Sequence, residues 1–292
     1  MLEPVIPENP IEDLIDVLNL KKTGETSYVG RTQWMPHGRV FGGQVLAQSL
    51  TAAQHTVATE RPVHSLHSYF LRAGDIHKEI TFEVEILRDG RSFSARRVKA
   101  LQDEVPIFVL SASFQEPADG ANHQERMPEG LPDPLSLPSA SDLLSRYDHP
   151  ATNYWSKARP FDLRHVGEPI YLQPAADQSA DQMIWFRAIG ELPLDPTTQS
   201  AALAYASDYT ILESVLKRHG LSWAHKGLNT ASLDHAMWFH APASVNDWML
   251  YVQHSPAAQS GRGLALGSIF SKDGVLLASI AQEGMIRVPE YR

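Results

Sequence analysis

An internal repeat limits what this chain can fold into more than any other feature. Each half reads as a strand, a helix and then four strands, and the correspondence reaches single residues. Phe41-Gly-Gly-Gln44 lies against Tyr205-Ala-Ser-Asp208. Val63-His64-Ser-Leu-His67 lies against Ala231-Ser232-Leu-Asp-His235, and the segment 108–115 lies against 275–282, ending on Gln115 and Gln282. A helix followed by an antiparallel sheet that must cover it predicts one helix wrapped by one curved sheet, twice over. The expected class is therefore α+β, with the two units joined edge to edge.

The local signals agree. Residues 10–20 place Ile11, Leu14, Ile15 and Leu18 at helical spacing behind Pro10. Strands are expected at 26–34, 63–72, 77–88, 91–102 and 105–115, with Asp89-Gly90 as a hairpin turn. A helix opens at Gly42-Gly43, where paired glycines serve either a turn or a close backbone approach. In the second half the spacing predicts strands at 169–173 and 183–189 and one helix over 199–219, stopped by Gly220. Further strands follow at 230–241, 247–255, 261–271 and 274–287, with Lys272-Asp273-Gly274 as a turn.

Between the halves, prolines recur at 117, 128, 132, 134, 138 and 150, with only a short helical run near 140–147. This divides the chain into a first repeat at 1–116, a surface-wrapping linker at 117–168 and a second repeat at 169–292. At 292 residues there is ample core for two units.

A net charge of −9 argues against nucleic acid or an anionic membrane as the main partner. The basic run Arg96-Arg97-Val98-Lys99 reads as a charged strand edge or as a contact for a phosphorylated ligand. With no cysteine, disulfides, thiolate metal sites and a cysteine nucleophile are excluded. No histidine cluster has ligand spacing, so no metal and no cofactor is expected. The start, Met1-Leu-Glu-Pro-Val5, lacks a basic-then-apolar signal, and Pro-Glu-Tyr-Arg292 lacks a Ser-Lys-Leu address. No run is long enough to span a bilayer, so a cytoplasmic location is expected.

Three polar residues stand where apolar ones belong. Asp208 falls inside the stripe of Ala201, Ala204, Tyr205, Ile211, Leu212 and Val215, where a carboxylate needs donors, a shifted pKa, or both. Ser232 opens a strand on which alternation puts Asp234, Ala236 and Trp238 on its own face, with Leu233, Met237 and Phe239 opposite. Gln282 sits among Ser279, Ile280 and Ala281. Alone, each reads equally as a satisfied core or strand-end group. Together they occupy positions matched in the first half by Gln44, His64 and Gln115, and matched positions of a repeat converge on one place.

The segments Val40-Phe-Gly-Gly-Gln44, His64-Ser-Leu-His-Ser-Tyr-Phe70, Leu87-Arg-Asp-Gly-Arg-Ser-Phe-Ser-Ala-Arg-Arg97, Leu233-Asp-His-Ala-Met-Trp-Phe-His240 and Ala281-Gln-Glu-Gly284 resemble those of the type II acyl-CoA thioesterases. The resemblance covers nearly everything but the linker. It implies a double hotdog fold and hydrolysis of medium- to long-chain acyl-CoA to fatty acid and CoA, within lipid and fatty-acid metabolism. It also implies that Asp208, Ser232 and Gln282 are the catalytic set, with Ser where the bacterial pattern has Thr. Asp208 is then the base, and Ser232 and Gln282 fix the attacking water. A helix-terminal N–H stabilises the oxyanion, direct attack by Asp208 through an anhydride stays open, and Asp234 is the rival carboxylate.

His64 is expected to contact substrate, and one working site is expected per chain. Two other functions fit the same cavity: a hotdog enoyl-CoA hydratase using an Asp with His64 or His235, and a non-catalytic acyl-CoA binding module. Sheet edges of this kind pair, so a homo-oligomer, dimer or tetramer, is expected.

Overall fold

The computed structural model describes residues 5–291; Met1–Pro4 and Arg292, and with them the ends read above for targeting signals, lie outside the described residues. The first half comprises α1 (Pro10–Leu18), β1 (Lys21–Lys22), β2 (Ser27–Gly30), α2 (Gly42–Gln54), β3 (Val63–Phe70), β4 (Ile80–Asp89), β5 (Phe93–Gln102) and β6 (Val105–Gln115). The linker carries α3 (Ala140–Leu144) and α4 (Pro150–Lys157). The second half comprises β7 (Phe161–His165), β8 (Asp181–Ala188), α5 (Pro196–Ser207), α6 (Glu213–Arg218), β9 (Asn229–Ser232), β10 (Asp234–Phe239), β11 (Met249–Gln259), β12 (Arg262–Ser271) and β13 (Leu276–Arg287).

All strands join one antiparallel sheet in the order β1-β2-β4-β5-β6-β3-β10-β13-β12-β11-β8-β7, with β9 added on β13. The order β2-β4-β5-β6-β3 in the first half is repeated as β8-β11-β12-β13-β10 in the second. The halves meet where β3 pairs with β10, from Asp234 opposite Tyr69 to Trp238 opposite Ser65. This is a double hotdog. The sheet packs on α2 through β4, β5 and β6 and on α6 through β8, β11 and β12, and α2 and α5 pack against each other. Leu46, Ala47, Leu50, Ala52 and Ala53 of α2 and Ala201, Ala202, Leu203 and Ala204 of α5 are wholly buried. Each leucine contributes roughly 1.5–3 kcal/mol by leaving water. From Ala201 to Ser207 α5 has no solvent face, so its alanines permit a close fit against α2 rather than marking a stripe, while Pro196 in its first turn is exposed.

The linker crosses the outer face of the second half. Met127, Leu131 and Leu137 pack on Trp185, Trp248, Leu250 and Phe270. The Gln124 amide donates to the Gly274 carbonyl at 2.8 Å and accepts from the Leu276 N–H at 3.1 Å.

Four elements differ from the sequence expectation. Residues 169–173 form no strand, because Pro169 and Pro174 bracket the run and deny it ladder donors. The strand is β7, inside the segment read as linker; its buried Phe161, Leu163 and His165 alternate with partly exposed Asp162 and Arg164 against β8. Helix α4 follows Pro150 at its first position, capped by the His149 side chain. The helix over 199–219 is two helices parted at Asp208–Leu212, and the strand over 230–241 is two strands parted at Leu233. The last two interruptions build the site.

Candidate active site

In sequence, the break between α5 and α6 reads Asp-Tyr-Thr-Ile-Leu, five poor helix residues but for the last. The backbone continues as a tight turn, Tyr209 N–H to the Ala206 carbonyl and Glu213 N–H to the Thr210 carbonyl. Asp208 caps the C-terminus of α5 and stays partly accessible.

The break in the strand has a register cause. Ser232 lies opposite Gly284 and Ala236 opposite Ala281, so three residues (233–235) face two (282–283). This bulge reverses the alternation. Gly284 faces the helices, where an added Cβ would meet Leu212 at 2.5 Å. Ser232 therefore shares the inward face with His235 and Met237, both wholly buried, and Asp234 turns outward. The expected grouping of Ser232 with Asp234 does not occur. Asp234 accepts the Glu283 N–H at 2.7 Å, and none of its hydrogen bonds is to Ser232 or Gln282.

Asp208, Ser232 and Gln282 meet. Gln282 Nε2 donates to Asp208 Oδ1 and to Ser232 Oγ, each at 2.9 Å, and the Ser232 hydroxyl lies 3.4 Å from the same Oδ1. Burial raises the Asp208 pKa to about 6 against the pull of Gln282, the Gly43 N–H and Ser232, which favour the anion. An ionised carboxylate only accepts, so the Gln282 atom facing it is nitrogen and Oε1 points away. That oxygen meets His235 Nδ1 in a hydrogen bond. Nδ1 must then carry the hydrogen, leaving Nε2 to face the Ser207 hydroxyl at 3.1 Å. Burial lowers the His235 pKa to about 4, so the ring is neutral and this tautomer is fixed.

The other wall comes from the first half. Asp208 Oδ2 lies 2.6 Å from where a Cβ on Gly42 would stand, and a Cβ on Gly43 would come within 2.3 Å of the Tyr205 carbonyl. Of the two readings of the glycine pair, the structure shows the close approach. Phe41 at the N-cap of α2 supplies no side-chain cap, and the Asp208 carboxylate takes the Gly43 N–H instead. Phe41 also stacks on Tyr209, ring centroids 4.8 Å apart.

The matched residues of the first half do not assemble. Gln44 Oε1 accepts the Gln33 N–H, and its Nε2 donates to the Arg31 carbonyl and Gln48. His64 pairs with Ser113 Oγ at 2.8 Å and packs edge-on against Phe93. It stands six residues along β3 from Phe70, roughly 20 Å from the Asp208 end. The basic strand resolves likewise: Arg96 is buried on Asp89 and Thr56 as a structural group. Among the described residues no group of three or more His, Asp or Glu is arranged to hold a metal, and no helix is long and apolar enough to cross a membrane.

Sequence reasoning missed the place of His235 and of the α2 N-terminus. The signal available was Phe41-Gly-Gly opening a helix, which marks a backbone that something approaches closely.

Comparison with known proteins gives a consistent result. The family description "Acyl-CoA thioesterase" matches residues 164–285, and "Acyl-CoA thioesterase N-terminal domain" matches 31–115. The chain is 39% identical to acyl-CoA thioesterase 2 of Haemophilus influenzae, over 96% of this chain and 99% of that one. It is 40% identical to human acyl-coenzyme A thioesterase 8, over 93% and 88%. Among solved structures, an acyl-CoA thioesterase II from Mycobacterium marinum is 39% identical, with a TM-score of 0.79 over 96% of this chain and 100% of that one.

Proposed function

The chain belongs to the acyl-CoA thioesterase family and is a thioester hydrolase acting on acyl-CoA, and from that premise we propose that it does so with water held by Asp208, Ser232 and Gln282. One observation carries this reading: the Gln282 amide joins a carboxylate and a hydroxyl at 2.9 Å each, beside a helix N-terminus. A carboxylate lifted to about 6 is ionised at neutral pH yet basic enough to take a proton as water attacks. Ser232 accepts from Gln282, so its own hydrogen is aimed at Asp208 or at the incoming oxygen. Asp208 removes the proton, and oxygen bonds to the thioester carbon. The oxyanion formed is met by the Gly42 N–H, which donates to no group among the described residues. Collapse expels a thiolate. A thiol pKa of roughly 8.5 makes this a good leaving group without a strong acid, which suits a site with one base and a neutral histidine.

The acyl chain is proposed to be of medium to long length. Phe70, whose ring lies 5.0 Å from Phe108 and which also crowds Gly42, supports this with an apolar surface beside the carbonyl position.

The test follows thiol release from an acyl-CoA. Asp208→Asn keeps shape and hydrogen bonds but cannot take the proton, so turnover should fall roughly 100-fold or more. Near-normal turnover in a folded Asp208→Asn enzyme removes Asp208 from the role. Double-bond hydration without thiol release, or binding without turnover, would point to the two other functions considered above.

A further inference from the structure

A cavity of about 340 Å³ lies where α3 and α4 meet the β7–β8 edge of the sheet, and Lys157, Arg159, Arg164 and Arg187 all line it. In a protein of net charge −9 this is a local reversal of sign. Arg164 is spent: it grips Asp162 through two nitrogens and donates to the Pro134 and Leu137 carbonyls. That pairing also neutralises Asp162, one of the two carboxylates of the wall. Asp142 is the other, and it is exposed on the first turn of α3.

The remaining cations make no ion pair among the described residues, though Arg159 lies 5.0 Å over Trp155 and 6.0 Å over Tyr171. Lys157 has no ion pair among the described residues. Arg187 lies 4.7 Å over the Trp248 ring, and its buried Nε has no hydrogen-bond partner. The buried Nε and Nη1 of Arg159 have none either. Three cations without a carboxylate partner around one cavity favour an anion, and a phosphate offers several anionic oxygens to a guanidinium fork.

Tyr209, stacked on Phe41 at the N-cap of α2, links the active site to this cavity. Trp155, Arg159 and Phe161 line it, and the same three reach the Tyr209 ring, at 6.5 Å, 4.9 Å and 6.2 Å. Tyr209 follows Asp208 directly. A ligand with a reactive thioester at one end and phosphates at the other, joined by a long flexible arm, has its two ends matched by these two places.

We propose that the cavity between the linker helices and the β7–β8 edge binds the phosphate-bearing nucleotide end of the CoA thioester, through Arg187, Lys157 and Arg159. The inference rests on the substrate being a CoA thioester and adds where its anionic end sits. It makes the linker part of the binding site.

The experiment compares one fatty acid esterified to CoA, to 3′-dephospho-CoA and to pantetheine, with the intact enzyme and its Arg187→Gln and Lys157→Ala variants. The ratio of kcat/KM on the CoA thioester to that on the pantetheine thioester should fall roughly 10-fold in each variant, through KM. A fall shared by the dephospho-CoA thioester assigns the cavity to the diphosphate, and a fall confined to the CoA thioester assigns it to the 3′-phosphate. An unchanged ratio in both variants, or equal loss on all three substrates, overturns the proposal. Calorimetric titration with adenosine 3′,5′-bisphosphate reads the cavity without turnover. Binding weakened in both variants supports the proposal, and absent or unaltered binding overturns it even if the hydrolysis reading fails.

Discussion

Asp208 Oδ2 and the α-carbon of Gly42 are so close that a Cβ on Gly42 would stand 2.6 Å from that oxygen. One residue comes from each half of the repeat, so the site is built across the join rather than within the second half. Gly42→Ala tests this. The position is the first residue of α2, with a backbone that alanine adopts, so the fold should hold. The methyl displaces the carboxylate and presses on Phe70, 3.0 Å away. We expect kcat to fall at least 10-fold with the thermal midpoint unchanged or raised. Wild-type kcat in Gly42→Ala would separate the α2 N-terminus from the chemistry.

Asp208 sets a pH dependence for both activity and stability, with opposite signs. Activity needs the carboxylate and should rise with pH through about 6. Stability runs the other way: the folded pKa is above the ordinary 3.8, so between about pH 4 and 6 the unfolded chain binds fewer protons than the folded one. The favourable contribution is complete below pH 4 and is lost as pH rises through 6, about 3 kcal/mol at most. Asp208→Asn cannot ionise, so at pH 7 it should unfold at a higher temperature than the wild type while being nearly inactive. A variant both inactive and less stable at pH 7 would show that the charge is held by donors rather than desolvated.

His235 is wholly buried and bonded to Gln282 Oε1, which suits it to orient that amide. His235→Phe keeps the ring's bulk but frees Gln282 Oε1, so the amide no longer donates firmly to Asp208. Loss of a donor to the anion raises the carboxylate pKa. The acid limb of the kcat–pH profile should therefore move up by at least half a unit, with kcat lowered and KM nearly constant. A purely structural role would lower stability and leave the limb in place.

Much of this was readable from residues alone. The repeat predicted the wrapped helices, and polar residues at apolar positions singled out Asp208, Ser232 and Gln282. What brings them together was not readable. The bulge at Leu233 exists only because Ser232 pairs with Gly284 while Ala236 pairs with Ala281. Strict alternation, the only rule a lone strand offers, put Ser232 on the wrong face. The approach of Gly42 to Asp208 likewise depends on α2 packing against α5, a contact between halves that no local pattern encodes.

The repeat nevertheless should give one working site per chain, because the first half lacks both the interruption and the carboxylate. Gln44, matched to Asp208, is wholly buried. Its amide is consumed in bonds of 3.0–3.1 Å to the Gln33 N–H, the Arg31 carbonyl and Gln48. An amide has no basic lone pair near neutral pH, and both N–H donors of this one are already given. Gln44→Leu strands the Gln33 N–H and the Gln48 Oε1 in the core, while the Arg31 carbonyl keeps the Gln48 amide, and should cost roughly 1–3 kcal/mol for each group left unmet. His64, bonded to Ser113 far along β3, has no carboxylate to orient it. His64→Ala should therefore leave kcat within about twofold, and a tight-inhibitor titration should count one site per chain. Two sites per chain, or a folded His64→Ala as inactive as Asp208→Asn, would place a second centre in the first half.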